Sequence, residues 1–154
     1  MNPLKALREA GDAFVGLVTD IDDADQVRPS NCDEWTIDGP LVPALIAAVD
    51  EQLEALATKD LGPEVVHHPV ADMTPVQLTG IRLVEFVVHQ WDLARSLRRD
   101  HQIDSRGAGL AWEIMAPLAH VTASLGMFGD GSSGNAIASD DPLELLLDAT
   151  GRRP

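Results

Sequence analysis

Three side chains spaced four and three residues apart, Glu85, His89 and Asp92, are of the types that hold a divalent cation or move a proton. On a helix turning by about 100° per residue they fall within roughly 60° of one another. Their neighbours Val84, Val87, Val88 and Trp91 are apolar, so the polar stripe is set into a segment whose remaining surface belongs in a core. Burying a carboxylate or an imidazole without a partner is costly, and such groups persist where side chains or a metal satisfy them. A carboxylate and a histidine one turn apart is how helical bundles hold divalent metals, each helix supplying one or two inward ligands. The same spacing equally describes an idle pair on a helix surface, and two ligands alone are not a site. Glu85 and His89 are therefore the candidate metal ligands. Asp92 is a carboxylate that can orient His89 through its ring N–H. His120, on the following helix, is a further ligand or a hydrogen-bonded bundle histidine. His67 and His68, before Pro69, read as solvated, and no general base stands out.

Other chemistries are poorly served. The single cysteine, Cys32, excludes an internal disulfide and a multi-thiolate zinc site. Asp33 and Glu34 beside it raise a thiol pKa rather than lower it. A formal charge of -14 repels phosphate backbones. The one basic cluster, Arg95, Arg98 and Arg99, reads as the cationic end of a helix, so nucleic-acid binding is not expected. Gly129 to Gly134 lacks the lysine and the preceding strand of a phosphate loop and reads as a flexible linker. No apolar run approaches the ~20 residues of a membrane span, and the first residues carry no apolar signal core. The expected location is cytoplasmic, with no membrane partner.

The elements that must position the stripe follow from caps and periodicity. The 154 residues suit one domain, 1–154, and 45% hydrophobic with 23% charged residues is ordinary for a globular chain. Asn2-Pro3 starts a helix whose apolar residues Leu4, Leu7, Phe14, Leu17 and Val18 carry it to about Thr19. Residues 22–25 and 28–31 read as loop, with Trp35 plugging the end of the bundle. Asp38-Gly39-Pro40 opens a second helix, with Pro43 tolerated in its first turn. Leu45, Val49, Leu53 and Leu56 carry that helix to Thr58. Thr74-Pro75 starts the third and longest helix, which reaches about Arg98. Asp104-Ser105 starts a fourth, through Leu110, Ile114, Leu118 and Val121 to Gly126. Asp140-Asp141-Pro142 caps a short last helix ending at Ala149. Four main helices with short connections imply an all-α bundle.

The runs VEFVVHQWDLARSL, LGMFG and LLLDATGRRP, with NCDEWTI upstream, resemble the metal-binding domain of mycothiol-dependent maleylpyruvate isomerases. That family lies within the DinB-like superfamily, and the likeness is strongest to its single-domain members. It covers most of the chain in order. It implies a four-helix bundle binding a divalent metal, often zinc, with Glu85 and His89 as two ligands and a histidine of the second helix as the third. The open metal positions would take a low-molecular-weight thiol, mycothiol, as thiolate. A Lewis-acidic metal lowers a thiol's pKa and aims its sulfur at an electrophile. The implied activities are isomerisation through thiol addition or thiol transfer to small electrophiles.

The chain departs from that pattern at the third ligand. After Trp35-Thr36-Ile37 the histidine slot falls on Pro43 or Ala44, neither of which can ligate a metal. The helix and loop that usually follow are also missing, so the expected fold is a four-helix bundle shortened by one helix. An up-and-down bundle lacking a helix exposes an apolar groove, which pairing as a homodimer would cover. Two function classes remain open: a metal- and thiol-dependent transferase or isomerase, or a non-catalytic degenerate bundle acting in assembly or ligand binding.

Overall fold

The computed structural model describes residues 2–26, 42–58, 65, 67, 71–128, 131–134 and 138–154, without the side chains of 23, 26, 42–46 and 56–58. Expectations for Cys32, Trp35, His68 and the start of the second helix lie outside the described residues. Seven helices are present among the described residues: α1 (Pro3–Thr19), α2 (Asp23–Gln26), α3 (Val42–Thr58), α4 (Pro75–Leu97), α5 (Ser105–Met115), α6 (Ala119–Ser124) and α7 (Pro142–Ala149). Among the described residues the regular structure is entirely helical apart from a single bridge residue, Met73, so the fold is all-α. No described helix is long and apolar enough to cross a membrane.

The helix starts are set by local chemistry. Asn2 accepts from Leu4 N at 2.9 Å, Asp104 from Gly107 N at 3.0 Å and Asp141 from Leu143 N at 2.8 Å. At α4, Thr74 and Gln77 satisfy each other's backbone N–H groups in a capping box, and Pro75 presets the first turn. These side chains supply acceptors for the donors that a helix start leaves unpaired.

α4 is the organising element. It packs against both α1 and α5, while α1 also meets α3 and α5, and α5 meets α7. Leu7 from α1, Val49 and Leu53 from α3, Leu83, Val87 and Val88 from α4, Met115 from α5 and Leu146 from α7 share one core. Gly80 lets α5 come close, because a Cβ there would lie 3.0 Å from Ile114 Cδ1. Phe14 and Phe86 pack at 5.7 Å between ring centroids across the α1–α4 contact.

Three segments differ from the sequence expectations. The helix expected to run from Ser105 to Gly126 is broken after Ala116, and α6 restarts it at Ala119. Pro117 explains the break: it has no N–H to donate to the Glu113 carbonyl and its ring crowds that carbonyl, although Ala116 before it keeps helical backbone. The segment read as loop after α1 contains α2, started by Asp22, whose Oδ1 accepts from Asp25 N at 2.8 Å. Asp25 is buried and paired with Arg99 Nη2 at 2.9 Å, which ties this turn to the end of α4. The glycine–serine segment is not a free linker over 131–134, because Ser132, Ser133 and Gly134 wrap the buried carboxylate of Asp148.

Candidate functional site

The polar stripe runs along one margin of α4 and dips into the interior at one end. Glu85 and His89 side chains are 41% and 53% exposed, whereas Asp92 is only 6% exposed. Arg152 and His89 help keep Asp92 ionised. Arg152, 60 residues further on, grips it with Nε at 3.2 Å from Oδ1 and Nη2 at 2.6 Å from Oδ2. His89 Nδ1 lies 3.4 Å from Oδ2 of the same carboxylate. Burial pushes the Asp92 pKa up, but hydrogen bonds and positive charge from His89 and Arg152 outweigh it, and the net shift is below the ordinary value. The fork of a guanidinium suits a carboxylate in this two-point geometry.

This chain of contacts, Arg152 to Asp92 to His89, places a fixed anion on the Nδ1 side of His89. Nε2 is then the ring nitrogen available to an outside ligand, which is how carboxylates behind metal-bound histidines act. Glu85, one turn earlier, belongs to a different contact: its carboxylate pairs with the Arg82 guanidinium. The structure thus joins two of the three stripe residues and gives the third to a neighbouring cation. His120 lies on α6 and is exposed. His67 is also exposed and has Nδ1 2.7 Å from Asp72 Oδ1. Among the described residues, no three of the His, Cys, Asp and Glu side chains are grouped so as to hold a metal ion. Glu85 and His89 are the chemically suitable pair, a carboxylate oxygen and an imidazole nitrogen on one helix face.

Another buried carboxylate, Asp148, lies at the end of α7, four residues before Arg152. Asp148 accepts from the hydroxyls of Ser132 and Ser133, from Ser133 N at 3.0 Å and from Gly134 N at 3.3 Å. Burial raises its pKa and these donors lower it further than burial raises it. Arg153 Nη1 stands 3.7 Å from Asp148 Oδ1 and donates to Gly131 O at 3.3 Å. The last residues therefore serve two buried acids at once. Gly151 makes the turn that allows it, with φ at 78° and Phe128 O only 2.4 Å from where a Cβ would sit. No other residue type fits there without moving backbone.

Arg152 and Arg82 are the residues that reading the stripe alone did not reach. The signal for Arg152 was present in principle: a carboxylate on a buried helix face needs a cation, and the terminal Gly-Arg-Arg run is one of few sources in so acidic a chain. For Arg82 the signal was its place three residues before Glu85.

Comparison with known proteins finds no match among protein-family models, curated proteins or solved structures.

Proposed function

We propose that the chain is a DinB-like metal-binding domain, a shortened four-helix bundle in the cytoplasm, in which Glu85 and His89 hold a divalent cation, zinc above all. The observation that supports it best is the Arg152–Asp92–His89 chain, with Asp92 3.4 Å from Nδ1 of a half-exposed imidazole. In this reading a low-molecular-weight thiol such as mycothiol is the cosubstrate and a small electrophile the substrate. The metal, when bound, supplies the Lewis acidity that lowers the thiol's pKa. The chain's own residues do the rest: Asp92 holds the imidazole, Arg152 holds Asp92, and Glu85 exchanges Arg82 for the cation. With two protein donors on α4, affinity depends on further ligands from small molecules or from a second copy. A homodimer would also cover Val121, Leu125 and Met127, which are 45%, 58% and 47% exposed.

The test is metal content of protein purified without a metal-affinity tag, beside His89→Ala. About one equivalent per chain, lost in the variant, supports the reading. Absence of metal from both, with no rise in melting temperature on adding zinc, rejects it.

One contact favours a second reading. The Arg82–Glu85 pair already satisfies the carboxylate that the metal would need. In that reading the bundle is non-catalytic, acts in assembly or ligand binding, and tolerates His89→Ala without loss of function.

A further inference from the structure

α6 is held on its inner side only. Leu118 and Ala119 pack against the core and Thr122 is buried, while Val121 and Leu125, one turn apart, face outward with Met127. The backbone fixes this arrangement. Gly126, at φ 67°, ends the helix so that its N–H reaches Ala123 O at 3.0 Å and Met127 N reaches Thr122 O at 3.1 Å. In that motif the residue after the glycine returns toward the last turn of the helix, yet Met127 stays half exposed. From Ile114 to Gly129 the sequence has no Asp, Glu, Lys or Arg, the longest such stretch in a chain of net charge -14.

We propose that this face is where a second copy of the chain docks, giving a reversible two-fold dimer through α6. The charge pattern selects that occupant. A basic partner would be drawn by acids at the contact, and the stretch offers none. An identical copy is as acidic as the first, and two-fold pairing sets the face against itself, so a carboxylate there would meet its own kind. A neutral, apolar, preformed face on an acidic chain is what self-pairing requires. Three outward side chains fall well short of the roughly 20–30 residues a side of a stable interface. The dimer therefore forms at high protein concentration and dissociates on dilution. This gives the homodimer of the reading above its interface, and it needs none of that reading's metal.

Sedimentation equilibrium of the full chain tests it, in about 0.05 M and about 0.5 M salt. The native protein should dimerise reversibly, and more tightly at high salt, where screening relieves the repulsion between two acidic copies. Leu125→Glu should weaken the dimer at least ~10-fold, because it sets like charges across the contact. Val76→Glu adds the same charge at an exposed position of α4 outside the stretch, and should shift the constant less than about twofold. Circular dichroism checks both folds, and Met127→Glu takes the place of Leu125→Glu if that variant does not fold. A native chain that stays monomeric at its highest soluble concentration overturns the proposal, as does a dimer weakened by salt or lost equally in both variants. A dimer that survives Leu125→Glu intact also overturns it, while leaving the homodimer itself standing with its interface elsewhere.

Discussion

Replacing Arg152 with Met keeps much of its volume and removes the charge that holds Asp92. Asp92 would then be a carboxylate with 6% side-chain exposure that has lost its two-point guanidinium partner. Breaking a buried ion pair by deleting one partner costs about 3–5 kcal/mol. Arg152 is itself 17% exposed, so some water reaches the pair and the low end applies. A loss of about 3 kcal/mol at pH 7 corresponds to a melting-temperature fall of roughly 6–12 °C in a domain of this size. Asp92→Leu in the same chain should restore most of it, since an apolar pair of similar shape leaves no charge stranded. Urea unfolding of the four proteins in a double-mutant cycle isolates the coupling.

The pH dependence adds an independent check. The folded-state pKa of Asp92 is lowered, so its contribution is fully present above the unfolded value of about 3.9 and is lost as pH falls through the lower folded value. In Arg152→Met the hydrogen bond and charge of Arg152 no longer oppose burial, so the acid loss should begin at higher pH. An Arg152→Met protein within about 0.5 kcal/mol of the native one at pH 7, with an unchanged acid limb, would refute the reasoning.

Arg82→Gln removes the cation that competes for Glu85, so zinc affinity measured by calorimetry should rise several-fold if Glu85 is a ligand; unchanged or absent binding counts against it. Gly151→Ala meets both a left-handed φ and the Phe128 carbonyl, and should cost roughly 2–4 kcal/mol in urea unfolding; a loss below ~0.5 kcal/mol would mean that the turn relaxes freely. Arg98 ends α4 at φ 56°, ψ 40°. Arg98→Gly should therefore gain about 0.5–1 kcal/mol by thermal unfolding, and a loss would show that the arginine side chain contributes more than its backbone costs.

Helix starts were legible because a cap is a local event. Asn2, Thr74, Asp104 and Asp141 each accept from backbone within three residues, and sequence shows such neighbours directly. Pro117 is a visible signal for the break, but the reading followed only the apolar spacing of Leu110, Ile114, Leu118 and Val121, and Val121 proves 45% exposed. The stripe on α4 was visible as a pattern, whereas its burial was not. Periodicity places Glu85, His89 and Asp92 on one face and cannot say that only Asp92 goes under cover, because the cover is Arg152 from 60 residues away. The serines around Asp148 were hidden for the same reason: glycine and serine signal chain flexibility until a buried carboxylate recruits their donors.

Two arginine clamps, one just past the end of α4 and one onto α4 itself, also bear on how long the native state lasts. Arg99 reaches Asp25 across 74 residues and Arg152 reaches Asp92 across 60. Contacts so distant in sequence require large loops to close, and that closure is costly before other packing has formed. Both clamps join elements that must already be packed together, so φ-values near zero are expected for Arg99→Met and Arg152→Met. Interactions of that kind leave the folding rate nearly untouched and act as a brake on unfolding. Arg99 and Arg152 then set the lifetime of the folded domain more than the speed with which it is reached.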